Sequence, residues 1–376
     1  MPLQNYTTPR IFVAATRQND GKTTSSLGLF AALQKRFGNI GYIKPVGQRF
    51  VHIEGQKIDE DSVLINDTYR VRTPLRAMSP IAVEPDFTRK YLSGGNALQL
   101  QDKVQEAFDE SAWEKDFVII EGTGHAGVGS VFGLSNATVA KLLHSQVIIV
   151  SQGGIGKPID EISLNLALFQ KAGVEVIGVI LNKVMGDKME SLMGYVEKGL
   201  ERMGLPLLGA IPLHQELRRP TLHQICQQVQ GEFLAGAEWK RRHASKIVIG
   251  AMSARNAEKY FEPGALIITP GDREDLIMAC LGGPKNQVAG LVLTGGLLPQ
   301  DGVVDFIRAQ TVPCITAQGD SFAVTAAINR MTVKTEVGDR GKIELIQSLV
   351  ENHVNVDRIV QLVNGARDPN QLSLNW

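Results

Sequence analysis

Five short apolar runs, Ile11–Ala15, Phe117–Ile120, Val147–Val150, Val176–Leu181 and Leu207–Ile211, constrain this chain more than any other feature. None alternates apolar with polar residues, so each reads as a strand buried on both faces. A Gly-rich or polar turn and a helix-length stretch follow each run, which implies right-handed βαβ crossovers and a parallel sheet. The rhythm breaks between Thr221 and His243, where Gln, Glu, Lys and Arg accumulate and Lys240–His243 reads KRRH. It restarts at Ile247–Ala251, Ala265–Ile268, Gly290–Leu293 and Val312–Ile315. A chain of 376 residues exceeds what one core usually organises. The expected layout is therefore a first α/β domain over 1–220, a solvated connecting helix over 221–244, a smaller α/β domain over 245–360, and a loose tail over 361–376, most clearly Asp368–Trp376.

The first run ends in a candidate phosphate loop, Ala15-Thr16-Arg17-Gln18-Asn19-Asp20-Gly21-Lys22-Thr23-Thr24. An anion needs converging backbone N–H groups, a helix N-terminus and a lysine. Gly21 would permit close backbone approach, Lys22 would reach the β- and γ-phosphates, Thr23 would sit on Mg²⁺, and Thr24 would lie near the α-phosphate. Thr24–Arg36 reads as the helix behind the loop. The common pattern has a glycine five residues before Gly21; here that residue is Thr16.

Ala15–Thr23 resembles the dethiobiotin synthetase loop, Gly-Thr-x-x-x-x-Gly-Lys-Thr, with Ala15 at the leading glycine. The similarity extends through residues 10–215. Gly41–Val46, Glu121–Gly124, Ala172-Gly173, Gly178–Asn182 and Pro206–Pro212 follow in that family's order. The resemblance implies a P-loop NTPase-type parallel sheet with helices on both faces, binding ATP and Mg²⁺. It places Thr16, Gln18, Asn19, Asp20, Gly21, Lys22, Thr23, Thr24, Asn182 and Pro212 around the nucleotide, with Asn182 on adenine. It assigns Lys44, beside Lys22, to the phosphate and carbamate end of the reaction.

Mg²⁺ prefers hard oxygen ligands and keeps several waters, so one or two carboxylates beside the phosphates suffice. Glu121 closes a buried run, where ligands gather in doubly wound sheets. Asp61, within Asp59-Glu60-Asp61, aligns with an Asp of the family's metal shell; Asp59 is the weaker candidate. The expected metal set is Thr23, Asp61 and Glu121. The acidic triplet also fits a helix N-cap.

Substrate-side positions depart from the family. Its loop Thr is Gln18 here, the Ser after its Lys-Pro-Val lysine is Gln48, and a longer glycine segment carrying His125 follows Glu121. Polar groups shaped for one substrate are left unpaired by another. Gly153–Asp160 lacks the Ser/Thr of a second phosphate loop, and Pro158 suits a first helical position.

Residues 245–355 resemble the DRTGG domain on Pro270–Asp275 and Gly290–Gly296. That family is associated with regulation and dimer formation. The same two-domain order precedes the catalytic domain of long bacterial phosphotransacetylases, so the chain reads as a stand-alone regulatory half, homodimeric through its second domain. The expected activity is a nucleotide-responsive regulator. The alternative is an ATP-dependent ligase activating a small-molecule carboxylate or carbamate, with an amine as its second partner. On the ligase reading, removing residues 245–376 would leave catalysis intact.

Composition narrows the classes further. With 39 basic and 39 acidic residues the chain is neutral, which disfavours nucleic acid as a partner. The three cysteines, Cys226, Cys280 and Cys314, suggest neither a disulfide framework nor a zinc site. No apolar run reaches the roughly 18 residues of a membrane span. A cytoplasmic protein is expected.

Overall fold

The computed structural model describes residues 3–186, 189–282 and 288–365. The expected tail, Asp368–Trp376, lies outside them. The chain divides into two compact units, one of residues 1–213 and 336–376, the other of 214–335.

The first unit is built on a six-stranded sheet. Across it lie Leu207–Pro212, Val176–Val184, Gln146–Gln152, Arg10–Ala15, Phe117–Glu121 and Ile40–Ile43, with every neighbouring pair parallel. All residues of Arg10–Ala15 and Phe117–Glu121 are buried, as strands covered on both faces must be. The strand order turns around Arg10–Ala15: the chain moves first to one side of it, then to the other. The crevice at such a switch point, beyond the strands' carboxyl ends, is where doubly wound sheets bind ligands. The phosphate loop opens there and runs into the helix Lys22–Gln34, two residues earlier at each end than expected.

The second unit holds a five-stranded sheet ordered Glu232–Ala235, Cys314–Thr316, Gly290–Thr294, Ala265–Pro270 and Lys246–Ile249. The last four are parallel and correspond to the four expected strands. Glu232–Ala235 is antiparallel to Cys314–Thr316.

This sheet corrects the reading of 221–244 as a connecting helix. The segment contains a short helix, Leu222–Gln228, closed by a Thr221/Gln224 capping box, and then the edge strand. Leu222 and Ile225 are fully buried, so the segment is part of the second unit's core. The expected boundary at residue 360 also moves. The helices Arg340–His353 and Val356–Gly365 return to the first unit, and Arg340–His353 packs along Lys22–Gln34. A Cβ on Gly28 would stand 2.2 Å from a Val350 methyl carbon, so only glycine permits that approach. Val354 bridges to Gly209, and Asn355 N–H donates to the Leu208 carbonyl at 2.8 Å.

All three cysteines are free and buried; burial pushes the Cys280 and Cys314 thiols up to about 12, so they are poor nucleophiles. Among the described residues no helix is long and apolar enough to cross a membrane.

Candidate nucleotide site

Gly21 fixes the shape of the loop. Its φ of 105° is left-handed, and a Cβ there would lie 1.8 Å from the Asn182 side-chain nitrogen. Asn182 occupies that space because its Nδ2 donates to the Asp20 carbonyl at 2.9 Å, while its Oδ1 accepts from Lys183 N–H. The residue expected on adenine therefore braces the loop backbone in this structure. Lys183 continues the brace, its ammonium donating to the Asn19 carbonyl at 2.5 Å.

Asp20 is 1% exposed. One of its carboxylate oxygens accepts from Thr16 Oγ1 at 2.6 Å; the other, Oδ1, is buried without a hydrogen-bond partner. Thr16 thus does locally what the common pattern's glycine cannot, tying the two ends of the loop together. Gln18 and Asn19 are exposed, Asn19 with φ 68°. Thr24 is half-buried at the helix start, and Pro212 ends the edge strand, three strands from the loop's own.

Lys22 is buried, and its ammonium donates to the carbonyls of Gly124 at 2.9 Å and Arg17 at 3.3 Å. Both partners are neutral. Burial is the main cause that lowers its pKa to about 8, with Glu121 pulling the other way. Its hydrogen bonds thus go to carbonyls, while Glu121, Asp20 and Asp61 attract it through charge.

Beside it lies a buried acidic cluster around Lys44. The Lys44 ammonium pairs with Asp61 and lies 3.1 Å from Asp59 and 3.6 Å from Glu121. Burial opposes its charge, but Asp61, Asp59 and Glu121 together outweigh it and hold the pKa above the usual lysine value. The carboxyls of Asp59 and Glu121 are pushed up, chiefly by burial against the pull of Lys44. Thr23 donates to one Glu121 oxygen and Tyr42 to the other, each at 3.0 Å. Asp59 also caps the helix Glu60–Tyr69, accepting from Asp61 N–H, as the helix-cap reading of the triplet expects.

The arrangement brings together Lys22, Thr23, Lys44, Asp61 and Glu121. Asp59, ranked below Asp61, touches Lys44 as well. Tyr42 and Asn165 escaped the sequence reading. Asn165 binds the Ala126 N–H and the Thr16 carbonyl, joining the glycine segment to the loop. A tyrosine in a buried strand and an asparagine inside a helix give no advance signal. His125 is exposed, its ring Nδ1 accepting from Gly127 N–H and its carbonyl from Asn136 Nδ2, and Gln48 is exposed. Pro158 stands at the start of Lys157–Lys171, as expected.

The donor set tests the metal expectation. Hydroxyl and carboxylate oxygens suit Mg²⁺, and Asp20 Oδ1 supplies a buried acceptor with no partner. Among the described residues no group of three or more His, Cys, Asp or Glu side chains is arranged to hold a metal alone.

Lys44→Met has a calculable consequence. It would leave Asp59, Asp61 and Glu121 buried without their cation, which costs about 3–5 kcal/mol at pH 7. Because burial already raises the Asp59 and Glu121 carboxyls above their unfolded values, the folded variant binds protons more readily than the unfolded chain. The loss should therefore shrink as pH falls from 7 toward 5. Urea unfolding across that range measures it; a loss independent of pH would assign the defect to packing.

A family profile described as an AAA domain matches residues 9–221, and one described as a DRTGG domain matches residues 224–331. A phosphate acetyltransferase of Pseudomonas aeruginosa is 27% identical over 376 residues, covering 95% of this chain and 52% of that protein. One from Nitrosomonas europaea is 27% identical over 363 residues, covering 93% and 51%. One from Escherichia coli is 21% identical over 391 residues, covering 96% and 54%. The chain spans about half the length of the curated relatives it matches. The first profile takes in all six strands of the larger sheet and every residue of the loop, the brace and the acidic cluster, and the chain belongs to the AAA domain family, with a DRTGG domain following it.

Proposed function

We propose that the first unit binds Mg-ATP at Thr16–Thr24 and that occupancy there regulates, through the DRTGG domain, an activity related to phosphate acetylation. The observation that carries the nucleotide part is Lys22, a buried ammonium at the start of a helix whose hydrogen bonds go to carbonyls. Thr23, Glu121 and Asp61 would hold the metal, which shields the charge of the phosphates when bound. Lys44 would place its ammonium beside them, while Asn182 and Asp20 keep the loop in shape. The regulatory part rests on the match along almost the whole chain to one half of phosphate acetyltransferases. The DRTGG unit would join two copies.

The rival reading, an ATP-dependent ligase for a carboxylate or carbamate, is favoured by the Lys44 cluster, which could stabilise charge on a transferring phosphoryl group. The exposed Gln18 and Gln48 stand where a dethiobiotin-forming pocket needs small hydroxyls. Calorimetry with Mg-ATP and an ADP-release assay with and without 7,8-diaminopelargonic acid and bicarbonate separate the two. Saturable binding without substrate-dependent ADP release is expected. Release dependent on that pair would establish the ligase, and no binding would end both.

A further inference from the structure

The first unit contains a concavity of about 870 Å³, lined by no residue of the phosphate loop. Its walls are the end of the helix Glu60–Tyr69 with the turn after it, and the start of the helix Arg340–His353. Arg70, Arg72 and Arg340 line it, and their side chains have no protein partner among the described residues. Thr73 lines it too; this residue is 9% exposed, and its hydroxyl is buried without a hydrogen-bond partner. Volumes of roughly 300–1,000 Å³ are those of small-molecule sites.

We propose that this cavity is a binding site for a small organic anion carrying two or more phosphate or carboxylate groups. Guanidinium forks match both groups in bidentate geometry. Free arginines gain most from such a ligand, since no internal ion pair must first be broken. The N-terminus of the 14-residue helix Arg340–His353 adds positive potential, which the carboxylate of its cap, Asp339, offsets in part, and the carboxyl end of Glu60–Tyr69 subtracts from it. Asp67 and Glu344 are the opposing charges in the lining, so three guanidiniums face two carboxylates. That balance selects a compact ligand with its charges grouped near the arginines rather than a uniformly charged polymer. The orphaned Thr73 hydroxyl supplies a neutral donor.

The test uses the full chain carrying Lys22→Met, which silences the phosphate loop, with inorganic pyrophosphate and succinate as separate probes in calorimetry. Saturable binding of at least one probe is expected, weakened about tenfold or more by adding Arg72→Gln and Arg340→Gln. Both arginines are exposed, so the unliganded unfolding midpoint should not move. Thr73→Val, which keeps the shape and removes the donor, should weaken the same probe to a smaller extent. Pyrophosphate alone would mark a phosphorylated ligand, and succinate a dicarboxylate. The proposal is overturned if neither probe binds, or if the arginine substitutions leave affinity unchanged.

Discussion

Lys22→Met is expected to abolish nucleotide binding and, in the same molecule, to stabilise the unliganded fold. The first effect follows from losing the only lysine that the loop presents to an anion. Charge-assisted hydrogen bonds contribute about 1.5–3 kcal/mol each, so affinity for Mg-ATP should fall roughly 100-fold or more. The second effect follows from burial. The folded-state pKa of about 8 lies below the usual 10.5, so the buried charge opposes folding at neutral pH. That gap corresponds to about 3 kcal/mol at pH 7. Part of it is offset by the hydrogen bonds to Gly124 and Arg17 that methionine cannot make, leaving a net gain of about 1–2 kcal/mol.

The sign is fixed by linkage. Between pH 8 and 10.5 the unfolded chain holds the Lys22 proton more often than the folded one, so wild-type stability should rise with pH through that window. Lys22→Met should flatten the rise. Calorimetric titration with Mg-ATP and urea unfolding at pH 7, 8.5 and 10 read all three effects. Retained affinity would remove the phosphate-site reading. Lost affinity with lost stability would instead make Lys22 a structural residue.

How far such a site is legible in advance depends on the kind of residue. The five runs of the larger sheet were readable because doubly covered strands exclude polar residues altogether. Glu232–Ala235 was not: an edge strand of four half-buried or exposed residues, set among Gln, Lys and Arg, looks like a solvated helix. Lys22, Thr23, Lys44 and Glu121 were readable from motif and strand-end position. The direction of Asn182 was not, since an amide at a strand end can face a base or a backbone with equal chemistry. Tyr42 was legible only as part of a strand, and its hydroxyl bond to Glu121 depends on which face of the sheet it meets. The return of Arg340–Gly365 to the first unit escaped for a related reason. An amphipathic helix announces that it needs a partner, never which one.

That return produces the other large expected effect. A chain ending at Thr335 should fail to fold its first unit, whereas a chain in which 214–335 is replaced by a flexible linker should fold and bind nucleotide. Ile343, Ile346, Leu349, Val350, Val354, Val356, Ile359 and Val363 are all buried. At about 1.5–3 kcal/mol for each such side chain, their removal outweighs the whole net stability of a typical domain, about 5–15 kcal/mol. The loss falls where function is most sensitive. Arg340–His353 lies along the helix Lys22–Gln34, whose first turn forms the phosphate loop, and Gln347 Nε2 donates to the Tyr69 hydroxyl, which donates to the Leu27 carbonyl. Residues 336–365 fall outside both matched profiles, so a chain cut at a profile boundary would lose them. Urea unfolding of the 1–335 chain and of the linker chain discriminates. The expected pattern is no cooperative transition for the first unit in 1–335, and a cooperative transition with Mg-ATP binding in the linker chain. An unchanged first-unit midpoint in 1–335 would mean that the helices Arg340–His353 and Val356–Gly365 only decorate a core that is stable without them.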